Sequence, residues 1–148
     1  MIAGAQLYTL RDYCKTTEDL EATIRRMAEI GYKAVQLSGV CDFDAKWMRD
    51  LLKDCGLVAP LTHTAYKRIV EETDKVIEEH ITYGAGYVGL GSMPNFKKSN
   101  CDLEVYDNYC REIAPAVEKI AAAGLKFMYH NHNMEFVKLP SGKVLLED

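Results

Sequence analysis

Residues 16–38 read TTEDLEATIRRMAEIGYKAVQLS. Thr16 and Thr17 place hydroxyls ahead of Glu18 and Asp19, the pattern of a helix start with a side-chain cap and acids in its first turn. Leu20, Ile24, Met27 and Ala28 recur at helical spacing, and Gly31 ends the run. Lys33 to Ser38 then turns apolar over the length of a strand. A helix followed at once by a strand is one step of a βα repeat, and the same pattern extends in both directions.

Upstream, Ile2 to Thr9 reads as the first strand. Downstream, Asp44 can cap a second helix that carries Trp47, Met48, Leu51 and Leu52 on one face and stops at Gly56. Leu57 to Thr64 is the third strand. Ile69, Thr73, Val76, Ile77 and Ile81 mark the third helix, closed by Gly84. Tyr87 to Ser92 is the fourth strand, followed by a loop with Pro94, Asn95, Ser99 and Asn100. The fourth helix carries Val105, Tyr109, Ile113, Val117 and Ile120 and stops at Gly124. Pro115 inside it predicts a kink or a split. Leu125 to Asn131 is the fifth strand. Phe136 to Leu139, Pro140-Ser141-Gly142 and Val144 to Leu146 suggest a small hairpin.

This alternation predicts one α/β domain over residues 1–148 with parallel strands. The strands are apolar with few charges, as strands covered on both faces should be. Their starts are about 30 residues apart, a pace at which a closed eight-unit barrel needs roughly 250 residues. The expectation is therefore a partial (β/α)₈ barrel of about four and a half units.

Bulk composition narrows the function. A net charge of −4 and a pI near 5.6, with no basic patch interleaved with aromatics, argue against a nucleic-acid partner. The N-terminus has neither a basic nor an apolar leader segment, and no apolar run approaches a membrane span, so no membrane association is expected. The five cysteines, at 14, 41, 55, 101 and 110, are odd in number and irregularly spaced. They fit idle thiols in a reducing cytoplasm better than a disulfide framework or a zinc site. Gly84-Ala85-Gly86-Tyr87-Val88-Gly89 matches G-x-G-x-x-G, but these glycines follow a helix and open a strand. A dinucleotide site needs the reverse order, so Gly84 reads as a helix C-cap.

In parallel α/β folds, chemistry sits at the carboxyl ends of strands. Those ends read Gln6-Leu7-Tyr8, Gln36-Leu37-Ser38, Thr62-His63-Thr64, Gly91-Ser92 and Tyr129-His130-Asn131-His132. Three of the four histidines fall there. The fourth, His80, lies in a helix and reads as a surface or packing residue. Plainer readings exist for each position: His63 as a bonded core imidazole, Gln6 and Gln36 as amides bonded to neighbouring backbone, Tyr8 as packing with a polar tip. The group His130, His132 and Glu135 is harder to set aside. Two imidazoles on one strand face with a nearby carboxylate can ligate a divalent metal or move protons.

At these residues the sequence resembles the xylose isomerase-like, AP endonuclease 2-type barrel family. Gln6-Leu7-Tyr8-Thr9-Leu10-Arg11-Asp12 is similar to the opening of its sugar phosphate isomerase/epimerase members. Gly31-Tyr32-Lys33-Ala34-Val35-Gln36-Leu37 resembles their second strand, where Glu is common in place of Gln36. Tyr129-His130-Asn131-His132-Asn133-Met134-Glu135-Phe136 resembles their fifth-strand motif, usually with Asp in place of Asn133.

The resemblance implies proton transfer next to a carbonyl on a sugar or polyol, assisted in the intact family by a divalent metal (Mn, Mg, Zn or Co). It implies His63 and Glu135 as catalytic groups, and Gln6, Tyr8, Gln36, Asn131 and His132 as substrate contacts. His130 would be a metal ligand, at a position where relatives carry Glu. Most family ligands lie on strands five to eight, so a complete metal site is not expected in this chain. Two alternatives accompany the enzyme reading. One is a half-barrel that self-associates through its open edge; the other is a non-catalytic sugar-binding module.

Overall fold

The computed structural model describes residues 2–94, 103–138, 142 and 144–147. The first helix, α1 (Thr17–Ile30), starts where its cap predicts: the Asp19 amide donates to Thr16 Oγ1 at 3.1 Å. Asp44 caps α2 (Ala45–Cys55) in the same way, accepting from the amides of Lys46 and Trp47 at 3.0 and 2.9 Å. The predicted stops at Gly31, Gly56 and Gly84 all hold as C-caps. Gly84 is thus the end of a helix and no part of a phosphate loop.

The strands are shorter than the sequence suggests but follow its order. β1 (Gly4–Gln6) pairs in parallel with β2 (Ala34–Gln36), and β3 (Tyr87–Leu90) pairs in parallel with β4 (Lys126–Tyr129). Residues 58–64 join the two pairs through single parallel bridges, Ala34 to Val58 and Leu37 to Thr62 on one side, Leu61 to Tyr87 and Thr64 to Leu90 on the other. Pro60 in this segment has no N–H to give to a ladder. The five parallel segments therefore lie in sequence order.

Helices cover one side of these strands. Val35, Leu37, Leu20, Ile24, Met48 and Leu51 form one buried cluster with α1 and α2. Val88, Leu90, Ile69, Val76, Ile113 and Ile120 form a second with α3 (Tyr66–Glu71), α4 (Thr73–Tyr83) and α5 (Leu103–Ala122).

Several expectations need correction. The first strand stops at Gln6, and Leu7–Tyr13 coils into a 3₁₀ helix. There Thr9 Oγ1 donates to the Gln6 carbonyl at 2.8 Å and Arg11 to the Tyr8 carbonyl at 2.9 Å, local bonds that compete with a ladder. The third helix is split at Glu72, next to the Thr73 hydroxyl, which donates to the Ile69 carbonyl at 2.7 Å. Pro115, by contrast, does not split α5, which is helical throughout Leu103–Ala122. The bond lost at Pro115 is one among many, and Ile113, Ala116 and Ile120 anchor that region in the core. The expected hairpin is reduced to one antiparallel bridge, Lys138 to Val144, flanked by 3₁₀ turns at Met134–Phe136 and Leu145–Glu147. Asn95, Ser99, Asn100 and Cys101, and the residues Leu139 to Ser141 of the expected hairpin, lie outside the described residues.

Among the described residues, no helix is long and apolar enough to cross a membrane. Cys14, Cys41, Cys55 and Cys110 are free thiols, and burial pushes the first three up from the ordinary thiol range.

Candidate active site at the strand ends

Pairing fixes which polar side chains meet. Gln6 is in register with Gln36, so both amides lie on the sheet face opposite Val35 and Leu37, away from the helices. Among the described residues neither amide takes a hydrogen-bond partner, and both are half-buried. The same side of the next segment carries His63. Its neighbour Thr62 turns toward the helices, where it meets His80 at 2.8 Å.

The strand ends enclose a cavity of about 430 Å³. Gln6, Tyr8, His63, His130 and His132 line it, together with Ser38, Thr64, Tyr66 and Ser92. Residues more than a hundred positions apart in the chain thus face one space. Gln36 and Asn131 do not line it: Gln36 lies further down its strand, and Asn131 is exposed to solvent.

His63 is the centre of the arrangement. Its Nδ1 is 2.9 Å from the hydroxyl of Ser38, a side chain only 1% exposed. Its ring lies 4.9 Å from that of His130, which in turn stands edge-on to His132 at 4.9 Å. Burial lowers the His63 pKa below the ordinary imidazole value, and the charges that His130 and His132 can carry lower it further. His63 is therefore neutral at pH 7. With Nδ1 engaged by Ser38, Nε2 is the nitrogen left to a ligand. The sequence places Ser38 at a strand end but gives it no role; the signal was its position two residues past Gln36.

Two glycines make room. Gly39 has φ +66°, and a Cβ there would sit 2.8 Å from the Tyr8 ring. Gly91 lies under His63, where a Cβ would come 3.3 Å from Nδ1. Tyr8 is also held by Arg11, whose guanidinium lies 4.7 Å from the ring centre.

Glu135 does not line the cavity. It is 3% exposed and accepts two hydrogen bonds, from the Tyr129 hydroxyl and, at 2.8 Å, from the His132 amide. Burial alone would raise its carboxyl, but these bonds outweigh it and hold the group below the usual carboxylate range. Burial, with the bond to Glu135, pushes the Tyr129 phenol up. The carboxylate thus ties down the exit of β4 and orients the backbone of His132.

His80 is not a surface residue. It is 1% exposed, with Nδ1 2.7 Å from the Val76 carbonyl and Nε2 2.8 Å from Thr62 Oγ1. The carbonyl can only accept, so Nδ1 carries the proton and Nε2 accepts from Thr62. Thr64, 2.9 Å from Thr62, completes the chain by donating. This chain anchors the backbone on both sides of His63.

The donor set can be tested against a divalent metal. Three imidazoles are close together, and the buried His132 Nδ1 has no hydrogen-bond partner. Yet among the described residues no group of three or more His, Cys, Asp or Glu is arranged to hold a metal ion. Glu135, the carboxylate expected beside the histidines, faces Tyr129 instead. The residues present do not make a complete metal site.

A second cavity of about 580 Å³ shares Gly39, His63, Thr64 and Ala65 with the first and runs toward α4. Its charges are largely paired: Arg68 grips both carboxylate oxygens of Glu79 at 2.8 and 2.9 Å, and Lys75 lies 3.6 Å from Glu72.

No protein-family model and no curated protein sequence matches the chain. Solved structures do. An L-ribulose 3-epimerase superposes with a TM-score of 0.65 at 16% identity, over 86% of this chain and 48% of its own. A xylose isomerase domain-containing protein from Salmonella typhimurium gives 0.60 at 15% identity, over 85% and 47%. An AP endonuclease of family 2 from Brucella melitensis gives 0.57 at 20% identity, over 87% and 55%. The chain has the fold of the xylose isomerase-like TIM barrel proteins and spans about half the length of these three.

Proposed function

We propose that the chain is the first half of a sugar isomerase- or epimerase-like barrel, and that the strand-end cavity binds a small sugar or polyol. In this reading His63 exchanges a proton with a carbon next to the substrate carbonyl. Ser38 sets its tautomer, and Gln6, Tyr8, His130 and His132 hold hydroxyl groups. The observation that supports it most is the meeting of Gln6, His63 and His130, from the first, third and fifth parallel segments, at one cavity. Glu135 supports the site from behind through the His132 amide. The free thiols fit action in a reducing cytoplasm.

The test is proton exchange. The full chain, with and without added Mn²⁺ or Mg²⁺, is incubated with ketopentoses and ketohexoses in D₂O. Loss of the C–H signal next to the carbonyl, abolished by His63→Asn, is the expected result. Binding without exchange in either condition would make the chain a sugar-binding module instead.

The open strand edges favour a second feature of the same reading, self-association. β1 and β4 each have one side unpaired among the described residues, and Met128 on β4 is exposed. Pairing of these edges between two copies would cover both. Light scattering across a concentration series tests this, a constant monomer mass being the result against it.

A further inference from the structure

Cys14 and Cys41 are distant in the chain but adjacent in the fold. The Cys41 amide donates to the Cys14 carbonyl at 2.8 Å. Main-chain pairing of this kind brings two α-carbons to roughly 5–6 Å, the separation a disulfide spans. Both residues belong to one apolar cluster, Cys14 buried within it and Cys41 packed against it. The two thiols are also close enough for a charge on Cys41 to be felt at Cys14. We propose that they form a reversible dithiol–disulfide pair, a redox switch built into one wall of the strand-end cavity.

The place of the pair gives the link its consequence. Cys14 ends the 3₁₀ segment Leu7–Tyr13, which carries Tyr8 and Arg11. Cys41 lies in the stretch after β2 that also carries Ser38 and Gly39. These two stretches already touch: a Cβ at Gly39 would sit 2.8 Å from the Tyr8 ring and 3.3 Å from Arg11 Cβ. Tyr8, Ser38 and Gly39 all line the cavity. In the dithiol form this wall is held by main-chain bonding and packing. In the disulfide form it is held covalently, and the closed loop contains all of α1 and β2, which takes freedom from the unfolded chain.

Exposure divides the roles. Cys41 is partly exposed, whereas Cys14 is 1% exposed. A small organic disulfide, RSSR, therefore meets Cys41 first. The Cys41 thiolate attacks one of its sulfurs, forming Cys41–S–S–R and releasing RS⁻. Cys14 then gives its proton to water and attacks Cys41 Sγ, which closes the Cys14–Cys41 bond and releases the second RS⁻. The two protein thiols lose two protons and two electrons, and RSSR takes up both to become two RSH. Burial pushes both thiols up, and nearby Asp19, with Asp42 and Glu18 at Cys41, acts in the same direction. The cluster thus disfavours thiolates, but a disulfide is neutral and apolar, so the oxidised pair is held there without a buried charge.

The experiment incubates the full chain at pH 8 with glutathione disulfide, blocks remaining thiols by alkylation and maps tryptic peptides by mass spectrometry. The expected product is a peptide pair joined through Cys14 and Cys41, lighter by two hydrogens than the two thiol peptides and separated again by excess dithiothreitol. The oxidised chain should melt about 5 °C higher. Amide hydrogens of residues 8–13 and 39–41 should exchange at least about tenfold more slowly. Cys41→Ser, a substitution at a partly exposed position, should show neither change. Glutathione adducts without the Cys14–Cys41 link, or a disulfide joining another pair instead, overturn the proposal. A link that lowers the melting temperature, or leaves exchange in the two stretches unaltered, overturns its role in fixing the wall. The peptide map of the unsubstituted chain decides the link however the variant folds.

Discussion

The hydroxyl of Ser38 and Nδ1 of His63 meet at 2.9 Å, so the ends of the second and third parallel segments are joined through an imidazole that lines the cavity. For Nε2 to act as a base, Nδ1–H must donate to Ser38, which leaves Nε2 a lone pair. That lone pair can remove a proton from one carbon and return it.

Ser38→Ala removes that contact without adding bulk. It should lower stability by only about 1 kcal/mol but leave His63 in mixed tautomers. The check is the pair of imidazole ¹⁵N shifts of His63, together with solvent-exchange rates on a bound sugar. Exchange should fall roughly tenfold or more; unaltered shifts would show that Ser38 does not set the tautomer.

Acid should destabilise the protein through its buried imidazoles. Burial lowers the pKa of both His63 and His80 below the ordinary value of 6.5. The unfolded chain then binds protons that the folded chain refuses, so stability rises with pH through this window. The contribution is complete above about pH 6.5 and is lost as pH falls through the lowered folded values. Thermal melts between pH 7 and pH 5 should show Tm falling with acid, with a shallower slope in His63→Asn.

Gly89 in β3 and Gly86 just ahead of it offer a matched pair. A Cβ at Gly89 would lie 2.1 Å from the Thr62 carbonyl oxygen, whereas one at Gly86 meets nothing within 4 Å. Gly89→Ala should cost roughly 3 kcal/mol or more by forcing β3 away from residues 58–64, and Gly86→Ala should stay within about 0.5 kcal/mol. Urea midpoints of the two variants decide this.

Thr62 and His80 should be energetically coupled. His80→Asn or Thr62→Val alone leaves a buried polar partner unsatisfied, at a cost of about 1–3 kcal/mol each. The double variant should cost less than the sum of the two. Additive costs in a double-mutant cycle would show that the contact carries no net energy.

Glu135→Ala strips the acceptor from both Tyr129 and the His132 amide. It should destabilise the protein by about 2–4 kcal/mol and weaken sugar binding, while Glu135→Gln, which keeps an acceptor oxygen, should retain most of the fold. Equal binding in wild type and Glu135→Ala would show that the carboxylate does not support the site.

Much of this was legible in the sequence, because local rules govern it. Thr16 and Asp44 as caps, Gly31, Gly56 and Gly84 as stops, and the alternation of apolar strand with amphipathic helix depend on neighbours within a few residues. That alternation also forces parallel strands, and parallel strands gather their carboxyl ends. The convergence of Gln6, His63 and His130 on one rim follows from this without any knowledge of distances.

The tertiary structure alone decided the partners. Ser38 reaches His63 because the segments that carry them are adjacent in the sheet. Glu135 turns from the histidines to Tyr129 because the chain coils into a 3₁₀ turn just past β4. His80 is buried because α4 packs its inner face against Thr62, and Gly89 is required because the Thr62 carbonyl passes within contact distance. Each of these is fixed by separations between atoms far apart in the chain. Spacing along one sequence encodes which face a residue occupies but not what stands opposite it.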